Sequence, residues 1–138
     1  MLHRILVPLD GTDYSWRALE YACELVHYTH GTLVIMRVAT GMIKQPVLEL
    51  ETDCLYARIG DEVLDAAYAF MQGKNIDCTY LLENNSEVAE SILRTVTEQK
   101  CDAVVLGSRG MGVLEGLLRS SVSQAVIEKA SVPVTIVK

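Results

Sequence analysis

The sequence predicts an α/β domain, a parallel sheet covered by helices on both faces in three layers. Three observations carry that expectation. Apolar runs of strand length, such as RILVPL at 4–9 and LVIMRV at 33–38, are nearly continuous rather than alternating, the mark of strands buried on both faces. Stretches with apolar residues at helical spacing separate them. The connections are long enough for parallel crossovers. With 138 residues and no repeat, low-complexity tract or linker, the chain reads as one domain, 1–138.

Taken in order, residues 4–9 form the first strand, and Pro8 leaves its last residues unladdered on one side. Asp10-Gly11-Thr12-Asp13 is turn chemistry. The helix after it carries Trp16, Leu19, Cys23 and Val26 at helical spacing and stops at His30-Gly31. Residues 33–38 are the second strand. The weakly patterned segment from Ala39 to about Cys54, containing Gly41 and Pro46, reads as an irregular connection or lid. A second helix is expected from Leu55 to near Gly73, with Ile59, Val63, Ala66, Ala67 and Phe70 on one face. Residues 76–82 (IDCTYLL) are the third strand, whose mixed polarity points to a sheet edge. Ser86 is expected to cap a third helix with Val88, Ile92 and Val96 inward and Glu87 and Glu90 in its first turn. Residues 102–106 are the fourth strand, Ser121 to about Ala130 the fourth helix, and Val132–Val137 (VPVTIV) the fifth strand.

A net charge of −6 argues against a nucleic-acid or anionic-membrane surface, while leaving room for one small anion at a local site. The apolar run after Met1 is too short for a signal segment and far short of the roughly 20 residues of a membrane span. Cys23, Cys54, Cys78 and Cys101 lie far apart without a C-x-x-C pair, so zinc-site and thioredoxin spacings are absent. They read as reduced, mostly buried residues of a cytoplasmic protein.

The most informative stretch is 104–124, VVLGSRGMGVLEGLLRSSVSQ. An apolar strand breaks into Gly107, Gly110, Gly112 and Gly116 and ends in Ser120-Ser121 before a helical pattern. Glycines let backbone N–H groups approach an anion, and the first turn of a helix adds unsatisfied donors and a positive dipole end. Ser121 with Gln124 reads as a capping box that starts the helix. Two phosphate motifs fail here. No Gly-Lys pair exists for a P-loop. A dinucleotide fingerprint tried from Gly110 meets Glu115 at its third glycine and follows a late strand.

What remains is Gly107-x-x-Gly110, nine residues, then Ser120-Ser121. With the opening ILVPLDGTDYSWRAL, the GSRG turn, the SSV helix start and the closing SVPVTIVK, the chain resembles the universal stress protein family over nearly its whole length. That family's pattern is G-x-x-G, nine residues, then G-[ST]. The resemblance implies a five-stranded parallel sheet in the order 3-2-1-4-5, the adenine nucleotide alpha hydrolase-like fold, usually dimeric. It also implies ATP bound with a divalent cation, Mg2+ or Mn2+, held through the phosphates. Carried across, Pro8 and Asp10 lie near ribose and adenine, Val38 lines the adenine pocket and Leu106 enters the loop. Gly107, Gly110, Ser121 and Val122 then offer main-chain or hydroxyl groups to ribose and phosphates. Ser120 stands where the pattern has glycine. If its φ is positive, the Cβ costs about 1 kcal/mol; if negative, its hydroxyl adds a phosphate contact. A separate rule agrees with this placement, because the implied order reverses between the first and fourth strands, and ligands settle outside the carboxyl ends of strands at such a point.

The sequence thus points to an adenine-nucleotide switch, with no catalytic residue and no protein-only metal site, acting on an unidentified protein partner. The alternative is a dimeric interaction protein of the same fold that binds no nucleotide; a slow hydrolase ranks third, since the loop has neither histidine nor lysine. Val132–Val137, an apolar terminal strand, is the expected homodimer edge. Arg109 and Arg119 flank the loop as phosphate neutralisers or solvated arginines. His27 and His30 lack a third ligand, and Tyr14, Tyr21 and Tyr28 read as a packing stripe under the segment after Ala39.

Overall fold

A computed structural model describes residues 2–40, 48–51, 61–108 and 121–138. Among them, strands β1 (Arg4–Leu9), β2 (Thr32–Ala39), β3 (Leu48–Glu51), β4 (Cys78–Asn84), β5 (Ala103–Gly107) and β6 (Val134–Val137) form one sheet in the order β3-β4-β2-β1-β5-β6. The helices are α1 (Asp13–Thr29), α2 (Glu62–Met71), α3 (Val88–Glu98) and α4 (Ser121–Lys129). β4, β2, β1, β5 and β6 pair in parallel, which among themselves is the order 3-2-1-4-5. Antiparallel to them, β3 adds to the outer edge of β4.

The strands bury both faces, and alternate residues feed two cores. Ile5, Val7, Leu33, Ile35, Tyr80 and Val105 pack on one side with Leu19, Ala22 and Val26 of α1 and Leu64, Ala67 and Met71 of α2. Leu6, Val34, Met36, Leu81 and Val104 pack on the other with Ile92 and Val96 of α3 and Val126 of α4. Each fully buried aliphatic side chain contributes about 1.5–3 kcal/mol.

Several expectations change. The third parallel strand is not an edge, because β3 covers it, and six of its seven residues are buried. Glu83, just beyond the run read as the strand, is buried, pairs with Arg94 and accepts from Ser91 Oγ at 3.3 Å. Part of the expected irregular segment is therefore strand; residues 41–47 and 52–60 lie outside the described residues. The helix expected from Leu55 begins at Glu62 behind an Asp61 cap, whose Oδ2 accepts from Leu64 N at 3.0 Å. Leu64, Ala67 and Met71 are its buried residues, Val63 and Phe70 pack half-buried against the same core as expected, and Ala66 is exposed. Ser86 is not the cap of α3. The N-cap is Glu87, which makes no side-chain cap bond; Asn85 forms an Asx turn just before it, its Oδ1 accepting from Glu87 N at 2.9 Å and its Nδ2 donating to Ser91 Oγ at 2.7 Å. Tyr21 and Tyr28 are 41% and 81% exposed, so the tyrosine repeat is no packing stripe. Gln124 Nε2 donates to Glu128 Oε1 at 3.4 Å, and the Ser121 side chain of the expected capping box lies outside the described residues.

The amino-terminal edge of the sheet is stitched together by side chains. Asp102 accepts from His3 N at 2.9 Å and Arg4 N at 3.2 Å. Arg4 donates to both oxygens of Gln99, at 2.7 and 2.8 Å, and to Thr32 Oγ1 at 3.3 Å. α1 stops at His30, which takes the left-handed conformation (φ 55°) and donates its N–H to Val26 O. Gly31 then passes so close to the first strand that a Cβ there would lie 2.6 Å from His3 O.

Candidate functional site

At its other end the sheet comes apart between β1 and β5. β1 keeps register with β2 as far as Leu9 opposite Arg37, but with β5 only at Ile5–Ala103 and Leu6–Val104. Beyond Leu6 stands Pro8, which has no N–H to donate to a ladder. A cleft of about 150 Å³ opens in this fork. From the strands it is lined by Pro8, Leu9, Val38, Leu106 and Gly107, with Arg37 and Thr40 at the end of β2. From the connections and helices come Asp10, Ser15, Val88, Ile92, Val122 and Ser123.

The rim is built by short-range bonding. Asp10 Oδ1 accepts from Thr12 N at 2.9 Å and from Thr12 Oγ1 at 2.6 Å, an Asx turn that presents Thr12 as N-cap of α1. Thr12 Oγ1 in turn accepts from Ser15 N at 3.3 Å. Ser15 in α1 and Val122 and Ser123 in α4 bring the first turns of two helices to the cleft. Those turns carry backbone N–H groups without helical partners and the positive ends of the dipoles. Gly107 ends β5 against α1: a Cβ there would lie 2.7 Å from the Tyr14 carbonyl carbon and 2.8 Å from Ser15 N. Its carbonyl accepts from the buried Ser123 hydroxyl at 3.3 Å, tying β5 to α4. Glycine at 107 is thus required by the packing of strand on helix.

Arg37 is the charged residue that reading the sequence passed over. Its Nε lies 3.6 Å from Asp61 Oδ1, an ion pair too long for a hydrogen bond. The signal was visible as an arginine inside an otherwise apolar strand, two residues short of its end. Behind Ile92, a chain of bonds runs from Asn85 through Ser91 and Glu83 to Arg94 and positions α3. Burial pushes the thiols of Cys23 and Cys101 up to about 11, with neighbouring carboxylates adding to the rise and Lys74 and Arg4, respectively, opposing it. Burial likewise raises the Tyr80 phenol, with Cys78 and Tyr68 beside it adding to the rise.

Of the residues singled out from sequence, Pro8, Asp10, Val38, Leu106, Gly107 and Val122 line this cleft together. Ser121 is placed as the first residue of α4. Gly110 and Ser120 lie outside the described residues, as do Arg109 and Arg119. Leu9, Ser15, Arg37, Thr40, Val88, Ile92 and Ser123 were not singled out as lining residues; apart from Arg37, nothing distinguishes them in sequence from ordinary helix and strand positions.

The family model described as the universal stress protein family matches residues 1–138. The chain belongs to that family. Among curated relatives, universal stress protein YxiE of Bacillus subtilis strain 168 is 28% identical over 151 residues, covering all of both chains. A universal stress protein from Archaeoglobus fulgidus DSM 4304 superposes with a TM-score of 0.73 at 27% identity, over 99% of this chain and 44% of that one. A universal stress protein from the same genus and species, solved in complex with dAMP, superposes with a TM-score of 0.70 at 22% identity over the full length of both, a likeness of fold.

Proposed function

We propose that the cleft is an adenine-nucleotide site and that the protein is a stress-response regulator whose conformation follows ligand occupancy. The carrying observation is the fork between β1 and β5, which brings Pro8, Asp10, Val38, Leu106, Gly107 and Val122 around one cavity at the point where the strand order reverses. Relatives support the chemistry: besides the dAMP complex, members of this fold 21% and 18% identical were solved with cAMP and, from Arabidopsis thaliana, with AMP. ATP is the proposed ligand. A Mg2+ or Mn2+ ion would come with it, held by the nucleotide's phosphates. The ligand acts by binding two conformations unequally.

Binding without rapid turnover fits the described lining. It contains no histidine or lysine, and Asp10 is engaged by Thr12. No helix among the described residues is long and apolar enough to cross a membrane. With Cys23, Cys78 and Cys101 outside any disulfide, we place the protein in the cytoplasm. We further propose a homodimer through the β6 edge within Val132–Val137, where Val134, Ile136 and Val137 are only half-buried in the single chain.

Equilibrium dialysis with ATP and magnesium tests the reading. Saturable binding is expected below millimolar nucleotide, and Val122→Trp should abolish it by filling the cleft while leaving the melting temperature within a few degrees. Absence of saturable binding would favour an interaction protein of the same fold. Sedimentation of the same sample at micromolar concentration should give the mass of a dimer, and a monomer would remove the β6 proposal.

A further inference from the structure

The described lining of the cleft holds two ionisable side chains, Asp10 and Arg37. A guanidinium offers five N–H donors and cannot lose its charge. In Arg37 few of them are used. Nη1 reaches Val38 O at 3.5 Å, the outer limit of a hydrogen bond. Nε is buried and makes no hydrogen bond among the described residues. The carboxylate beside it, Asp61, stands at 3.6 Å, and its other oxygen is committed to Leu64 N at the start of α2. The side chain is only 19% exposed.

Keeping a cation so dry and so poorly partnered is costly, and an aliphatic residue would suit this otherwise apolar strand better. The arrangement makes sense when a further acceptor enters the cleft. Asp10 cannot favour an anion, since its own charge repels one. Arg37 does the reverse, and charge-assisted hydrogen bonds to phosphate oxygens are among the strongest available to a side chain.

We infer that Arg37 is a ligand-binding residue of this cleft, pairing with an anionic oxygen of the bound nucleotide and setting its preference for phosphorylated ligand over nucleoside. This rests on the adenine-nucleotide reading above and adds the residue that reads the charge. Arg37 leans on Asp61 when the cleft is empty and turns its unused donors to the ligand when it is filled.

Calorimetric titration of the full chain with AMP and with adenosine tests it. The parent should bind AMP at least tenfold more tightly than adenosine. Arg37→Gln should lose about tenfold for AMP and stay within twofold for adenosine, while Arg37→Lys keeps most of the preference. Asp61→Asn, which frees the guanidinium, should bind AMP as well as the parent or better. An AMP-to-adenosine ratio unchanged in Arg37→Gln, with AMP binding intact in the parent, overturns this inference alone. So does an equal loss of both ligands in Arg37→Gln, or a tenfold loss of AMP in Asp61→Asn, since either would make Arg37 a structural partner of Asp61. A parent that binds neither ligand removes the nucleotide reading and this inference with it.

Discussion

The two ends of the sheet are built on opposite terms. At the amino-terminal edge, Asp102 and Arg4 cross-link β1 to residues before β5 and to β2, and Gly31 lets the α1–β2 turn rest on His3. At the carboxyl edge the same β1 leaves β5 after Leu6, its bonds become local to residues 10–15, and Arg37 keeps donors in reserve. Long-range bonds gather where the chain must hold, and unused bonding capacity gathers where a ligand could take it up. A protein stabilised at one end can tolerate an incompletely paired strand at the other.

The sharpest way to break the comparison is to add one methyl group at each end. Gly31→Ala and Gly107→Ala both place a Cβ under 3.0 Å from backbone atoms, so each should cost about 3 kcal/mol of stability in urea unfolding. Their ligand effects should differ. Gly31→Ala keeps the parent's affinity for AMP within twofold, whereas Gly107→Ala, which shifts β5 against α1 at the rim, weakens it more than tenfold. Equal affinities in the two variants would show that the ends are not separable. A smaller effect is expected from Asp102→Ala, which removes two hydrogen bonds to the start of β1. It should lower stability by about 1–2 kcal/mol without changing AMP binding, and a tenfold loss of affinity would contradict the division drawn here.

The smallest effect concerns pH. The Cys23 and Cys101 thiols are raised from 9.0 to about 11 by burial, so the folded state holds protons that the unfolded chain releases first. Their contribution to stability is complete below pH 9 and is lost as pH climbs toward 11. The melting temperature should therefore sag across that window, and Cys101→Ala should flatten the sag. A thiol reagent at pH 8 should label either cysteine slowly in the native protein, because little thiolate is present; rapid labelling would show the shift to be absent.

Much of this fold is legible in the chain because parallel strands buried on both faces announce themselves as unbroken apolar runs, as in RILVPL and LVIMRV. The chain reversal at His30-Gly31 and the start of α4 at Ser121 were readable for the same local reason. What escaped was set by distant partners. Asp77 and Thr79 made the third parallel strand look like an edge, yet Thr79 is buried and β3 covers the strand. Ser86 is a good cap by type, but the side chain that bonds at this helix entry is Asn85, to Glu87 N and Ser91 Oγ. Gly107 looked like a residue kept small for a phosphate, and the backbone of Tyr14 and Ser15 turns out to set its size. Arg37 was lost inside a hydrophobic run because its meaning depends on Asp61 and on the fork, neither of which is adjacent in sequence.

The consequence of the early parting of β1 and β5 is that one short strand, Arg4–Leu9, serves as both weld and jaw. Leu6 is the pivot between the two uses. A substitution before it will be felt as heat tolerance; beyond it Val7 and Leu9 still fill the core while Pro8 is half-exposed on the cleft, so grip parts from folding at Pro8.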